Sequence, residues 1–188
     1  MVLPERKLER IEDFITRFPS ALEVMIDGTE RPIQRPKDKQ KQKNHYSGKK
    51  KRHTRKHLVI TDQNKRVLVL SLARAGKVHD KRQLNEEKLA DFVPDDIPIH
   101  VDLGFQGLQN EFVNIKIPDK KPKGKELTQK QKQSNREKSS ARVKCEHAIS
   151  GIKRYNAVAA LYRNRIDDLD DRFMLTTTGL WNFYLMAA

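Results

Sequence analysis

Two apolar runs, each ending in an aspartate with a glycine close behind, restrict this chain to a fold built on a sheet. Residues 97–101, Ile-Pro-Ile-His-Val, read as a short buried strand that delivers Asp102, and Gly104 and Gly107 let the backbone turn away. Residues 22–27, Leu-Glu-Val-Met-Ile-Asp, repeat the pattern, with Asp27 followed by Gly28. Ligands and reacting groups gather where strands of an open α/β sheet end, so both acids are candidates for chemistry.

The other segments supply a sheet and its helices. Residues 5–18 carry Leu8, Ile11, Phe14 and Ile15 at helical spacing. Residues 58–60 and 67–70 are apolar and flank a polar turn, the pattern of a hairpin. Asp80 reads as the N-cap of a helix over residues 81–90, with a catalytic carboxylate as the rival reading. Residues 106–112 predict a helical turn, and residues 113–117 alternate as a fifth strand. Val143, Ala148, Ile149 and Ile152 form the buried stripe of a helix that strengthens from about residue 134 and runs to about 155. Leu169, Phe173, Met174, Leu180, Trp181, Tyr184 and Leu185 mark a C-terminal helix that packs on the core. The expectation is a single α/β (or α+β) domain over residues 21–188, with residues 1–20 a short helical lead-in.

Charge separates the chain into tracts. The net charge is +14 over 188 residues, yet residues 31–57 alone carry 12 Lys and Arg against Asp38. Residues 116–144 carry 11 against three acids, which leaves a balance of −5 for the rest. Such tracts favour a polyanion, because each phosphate neutralised releases condensed counterions; the plainer reading is a pair of solvated, partly mobile loops. Within the first tract Lys49, Lys50, Lys51 and Arg52 are the densest group and the candidate DNA contacts. Cys145 is the sole cysteine, so an internal disulfide is excluded, and its place in a helix makes it a small buried residue rather than a nucleophile. His45, His53 and His57 lie among cations, which disfavours a metal there. His100 and His147 flank candidate acids and read equally as orienting groups or as satisfied structural histidines. No run reaches the ~20 apolar residues of a membrane span, and the expectation is a soluble cytoplasmic protein.

Three carboxylates can be joined. Asp27 and Asp102 close strands, and Glu146 sits mid-helix between Arg142 and Lys153. Hard oxygen ligands suit Mg²⁺, and two such ions about 3.5–4 Å apart can serve phosphoryl transfer.

The stretches Ile26-Asp-Gly-Thr-Glu30, Val101-Asp-Leu-Gly-Phe-Gln-Gly107 and Arg142-Val-Lys-Cys-Glu-His-Ala-Ile-Ser-Gly-Ile-Lys153 occur in that order. Together they resemble the DDE transposases of bacterial insertion sequences, a group related to Harbinger-type transposases. The resemblance implies a ribonuclease H-like fold with a mixed five-stranded sheet flanked by helices. It implies Asp27, Asp102 and Glu146 as the catalytic acids, holding two Mg²⁺ ions for which Mn²⁺ can substitute. The family pattern around its glutamate is Tyr, two residues, Arg, three residues, Glu, six residues, Lys. Arg142, Glu146 and Lys153 meet these spacings, while Ser139 stands at the tyrosine position and Phe105 at another usual tyrosine.

The activity this resemblance implies is that of a DNA endonuclease and polynucleotidyl transferase acting at transposon ends and on target DNA, with Arg142 and Lys153 positioning phosphates. Its partners would be DNA, further copies of itself on that DNA, and a separately encoded helix-turn-helix portion, since only about 20 residues precede the first catalytic strand. A bacterial, nucleoid-associated setting goes with this. The alternative is a non-catalytic basic DNA-binding relic, and a repair or RNA-processing nuclease of the same fold is the third reading.

Overall fold

The computed structural model describes residues 2–187. Its elements are α1 (Ile11–Arg17), β1 (Val24–Pro32), α2 (Lys39–His45), β2 (Tyr46–Ser47), β3 (Arg52–Asp62), β4 (Val67–Leu70), β5 (Arg74–Ala75), α3 (Asp80–Glu86), β6 (Ile99–His100), β7 (Ile115–Lys116), α4 (Gln129–Ile152), α5 (Asn156–Ala159) and α6 (Leu169–Ala187). The chain is a mixed α/β fold of ribonuclease H-like type. β1 pairs antiparallel with β3 along its full length and parallel with β6 on the other side, and β6 pairs parallel with β7. β4 and the short β2 and β5 all pair with β3. The sheet thus has seven strands among the described residues, and the two beyond the expected five are the two-residue pieces β2 and β5.

Strand alternation divides the core in two. Val24, Ile26, Leu58 and Ile60 point to one face and pack with Phe14, Leu84, Val101 and Phe105. Met25 and Val59 point to the other and pack with Cys145, Ala148, Ile152, Met174 and Trp181 of α4 and α6. The second cluster seats α4 against β1. Its closest approach is at Gly151, where an added Cβ would lie 2.2 Å from Cε3 of Trp181. Gly151→Ala is therefore expected to lower stability by about 1–3 kcal/mol, because overpacking against a rigid indole outweighs the ~1 kcal/mol of better helix propensity. Chemical denaturation of the two proteins measures this.

Several boundaries differ from expectation for identifiable reasons. The first helix starts at Ile11 rather than residue 5, because Glu5 is held in a β-bridge to Val69, donating to the Leu68 carbonyl at 2.8 Å and accepting from the Leu70 amide at 2.9 Å. His79, not Asp80, occupies the N-cap of α3, and that helix ends at Glu86 before the left-handed Lys88 (φ 50°). α4 begins at Gln129, five residues before the expected 134, because Thr128 and Gln131 form a reciprocal capping box at 3.3 and 2.9 Å. The tract 31–57 is more ordered than a solvated loop. It forms α2 and β2, and Arg31, Lys56 and His57 are buried because β3 follows β1 out to the Pro32–Thr54 pair. Among the described residues no helix is long and apolar enough to cross a membrane.

A partly buried polar network ties the chain's two ends to the sheet. The Asp171 carboxylate accepts from Arg6 Nη2 at 2.7 Å, from the Ala73 amide at 3.0 Å and from His57 Nε2 at 3.0 Å. Burial holds the His57 imidazole below its ordinary 6.5, so it is neutral and donates through Nε2–H. Although burial alone would raise it, hydrogen bonds from His57 and Arg6 hold the Asp171 carboxyl down at about 2. In both cases the unfolded chain binds a proton at higher pH than the folded one. Stability should accordingly fall as pH drops through about 6.5, where unfolded histidine protonates, and fall further between about 5 and 2 as Asp171 does. Thermal midpoints recorded from pH 8 to pH 3 test the sign; a midpoint that rises on acidification from pH 7 to 5 would contradict it.

Candidate active site

Asp27 lies mid-strand in β1, its side chain on the face that receives α4. The parallel register of β1 with β6 matches Val24 to Ile99 and Met25 to His100, and carried forward two residues it sets Asp102 beside Asp27. Their charges interact accordingly. Burial raises the Asp27 carboxyl above its ordinary value, the nearby Asp102 carboxylate raises it further, and the Gly28 amide, Arg142 and Lys49 pull it down. Each acid is steered by a backbone amide: Asp27 Oδ1 accepts from Gly28 N and Asp102 Oδ1 from Gly104 N, both at 2.7 Å. A Cβ on Gly104 would meet Asp102 Oδ1 at 2.8 Å, so a larger residue there would push the carboxylate out of this position.

Cations surround the pair. Arg142 Nη2 of α4 stands 3.9 Å from Asp27 Oδ2. Residues 48–51 form the turn between β2 and β3, from which the charge of Lys49 acts on Asp27 and that of Lys50 on Lys153. A cavity of about 290 Å³ alongside is lined by Glu30, Lys50, Arg52, Thr54 and Lys153. Lys153 Nζ donates to the Glu30 carbonyl at 3.3 Å, and burial with Lys50 nearby lowers its affinity for a proton. The sequence candidates Arg142, Lys153, Lys49, Lys50 and Arg52 thus converge on β1, while Lys51 holds the turn in a left-handed conformation (φ 54°).

Glu146 is placed differently. The spacings of four and seven residues put Arg142 and Glu146 along one stripe of α4 that continues to Lys153 at its C-cap, and the two cations of that stripe reach β1. Glu146 itself is exposed, and among the described residues no three His, Cys, Asp or Glu side chains are gathered to hold one metal ion. Asp80 sits across the sheet: it lies over Gly28, whose Cα faces away from the Asp27 side, and pairs with Lys56 at 2.6 Å. His100 pairs with Glu23 at 3.0 Å, and Lys144 reaches the same carboxylate at 2.5 Å. His147 lies near Trp181 and Arg154, lining a separate small cavity. Burial pushes the Cys145 thiol up to about 12, which removes it as a nucleophile at neutral pH.

In a second basic cleft of about 610 Å³, Arg35, Lys37 and Lys41 of the first charged tract face Arg163 and Arg165, to which no sequence signal pointed. The two arginines fall outside both charged tracts, and the Ile33–Tyr162 bridge together with Arg31 stacked on Tyr162 brings their segment there.

A family profile described as DDE superfamily endonuclease matches residues 26–182. A relative from Microchaete diplosiphon, named as a probable transposase for insertion sequence element IS702, is 34% identical over 165 residues, covering 86% of this chain and 57% of its own length. The chain therefore spans little more than half the length of that relative. No solved structure matches. The acid pair, the basic surround and these similarities agree, and the chain belongs to the DDE superfamily of endonucleases.

Proposed function

We propose that this chain is the catalytic portion of a transposase, a divalent-metal-dependent nuclease that cuts DNA at the ends of a mobile element and transfers the freed 3′-hydroxyls to target DNA. The observation that carries the reading is the Asp27–Asp102 pair, one carboxylate on β1 and the other just past the end of the neighbouring β6, whose repulsion is only partly offset by Arg142 and Lys49. Such a pair fits a hard cation, since Mg²⁺ takes one or two carboxylates and completes its shell with water and phosphate oxygens. When bound, the cation would polarise the scissile phosphate and make water a better nucleophile.

The rest is done by the chain's own groups. Asp27 must be ionised to hold the cation, and its raised proton affinity makes that hold weaken on acidification. Arg142, one helical turn before Glu146, offers its guanidinium to a phosphate oxygen beside Asp27. Lys49, Lys50, Lys51, Arg52 and Lys153 hold the strand through its backbone, an attraction that positions without reading sequence. Glu146 is the third carboxylate in this reading, supported by its place on the Arg142–Lys153 stripe, and a second ion depends on it. Recognition of the element's ends, assembly of several copies on DNA and a helix-turn-helix portion belong to the same proposal.

One observation favours a second reading, a basic protein that binds DNA without cutting it: Glu146 is exposed and apart from the pair. Incubation with supercoiled plasmid separates the two. Nicking in Mg²⁺ or Mn²⁺ that a chelator abolishes supports the nuclease, whereas retention of plasmid with no nicking in either ion supports the second reading.

A further inference from the structure

The first basic tract holds an aromatic pair that the catalytic reading leaves unused. Tyr46 of β2 lies directly opposite His53 of β3, and their rings meet edge to face with centroids 5.6 Å apart at 73°. Tyr46 is 43% exposed, although aromatic side chains at a strand pair commonly cover one another. The pair borders an open groove of about 740 Å³ whose rim carries Arg35, Lys43 and Lys77 and no acid. Lys77 is set by a close approach: its amide donates to the Asn44 carbonyl at 3.1 Å, and the preceding Gly76 passes so near Thr54 that a Cβ would overlap the hydroxyl. Burial, with Arg35 and His45 nearby, keeps the His53 imidazole below its ordinary value, so the ring against Tyr46 is neutral.

An exposed ring surrounded by cations is the chemistry of single-strand binding, where a base stacks on the aromatic and the cations follow the phosphates. A base inside a duplex has no free face to offer, whereas an unpaired one does. Position matters as well. Tyr46 faces His53, six residues along β3 from Val59, the partner of Asp27, a span of about 20 Å. At 3.4 Å per nucleotide stacked as in a duplex, and more when the strand is extended, about six nucleotides or fewer cover it.

We infer that the Tyr46–His53 groove receives an unpaired base of a DNA single strand, a few nucleotides from the phosphate held at Asp27 and Asp102. The inference rests on the proposed action on DNA. It adds that the substrate is locally unwound or carries a single-stranded overhang beside the cut.

The test is equilibrium binding by the full chain in a chelator, using one single strand of roughly ten nucleotides with a central 2-aminopurine and a duplex of the same sequence. Tyr46→Ala is expected to weaken single-strand binding about 5- to 150-fold, the range for losing one base–aromatic stack, with duplex binding changed less than about twofold. The wild type should quench the 2-aminopurine fluorescence, Tyr46→Ala should not, and Tyr46→Trp should restore both quenching and affinity. Because the ring is half exposed, a thermal midpoint matched to the wild type verifies that Tyr46→Ala is folded. Equal losses on both substrates, or no loss on either, would overturn the inference while duplex binding leaves the DNA reading standing. A wild-type chain that binds neither substrate would overturn both.

Discussion

Asp27→Asn and Asp102→Asn are each expected to reduce metal-dependent cleavage on the order of a thousandfold while leaving DNA affinity within about threefold. Amide replacement preserves shape and removes one unit of negative charge. A metal at such a centre contributes several kcal/mol of charge stabilisation in the transition state, and about 4 kcal/mol is a thousandfold in rate. DNA binding should follow a different rule, because in the proposed reading the phosphates are held by Lys50, Arg52 and Lys153 around one cavity and by Lys49 beside it, all of which the substitutions keep. Removing an acid can even tighten DNA binding slightly, as Arg142 is freed from Asp27. Asp27 carries a raised proton affinity, so the acid limb of the wild-type cleavage pH profile is expected to follow it. Single-turnover cleavage paired with filter binding separates these effects.

Asp170→Ala is expected to destabilise the fold by about 3–5 kcal/mol, the range for stripping one member from a buried ion pair. Asp170 is 1% exposed in the first turn of α6, where its charge also suits the helix N-terminus. Its carboxylate accepts from Arg55 Nη1 at 3.0 Å. Arg31, itself buried, feels the same carboxylate and otherwise rests on carbonyls of Ala157 and Asp170 and on the face of Tyr162 at 4.3 Å. Without Asp170 that guanidinium is left buried with no counter-charge. Since domains are stable by only about 5–15 kcal/mol, a loss of this size moves the urea midpoint substantially. Asp170→Asn keeps an oxygen acceptor for Arg55 and should cost less.

The legibility of this fold followed the reach of each signal. Asp27 and Asp102 could be found because an apolar run, an acid and a glycine are all local, and the hairpin of residues 58–70 announced itself by composition. That the two acids share a register was not local: it depends on Met25 meeting His100 across a parallel pair. The start of α4 was hidden because the Thr128–Gln131 exchange looks like any polar pair within a lysine-rich stretch. His57 looked like part of a charged tract. Its role emerged only when β3 carried it under α6 to meet Asp171, with Arg6 from the other end of the chain. Tyr46 is a single aromatic in a tract of cations, and only the antiparallel pairing with His53 turns it into the edge of a groove. Glu146 shows the converse. The helical stripe was legible from spacing, while the direction of one exposed side chain on it was not.

If Asp27 and Asp102 together hold a divalent cation, Mn²⁺ binding read by electron paramagnetic resonance will show it without DNA or catalysis. The wild-type chain at pH 7.5 should immobilise Mn²⁺ competitively with Mg²⁺, and binding should weaken on acidification as Asp27 takes up its proton. Asp27→Asn and Asp102→Asn should each abolish that binding. Mn²⁺ bound equally well by the wild type and both variants would place the metal elsewhere and rule out the acid pair as its site.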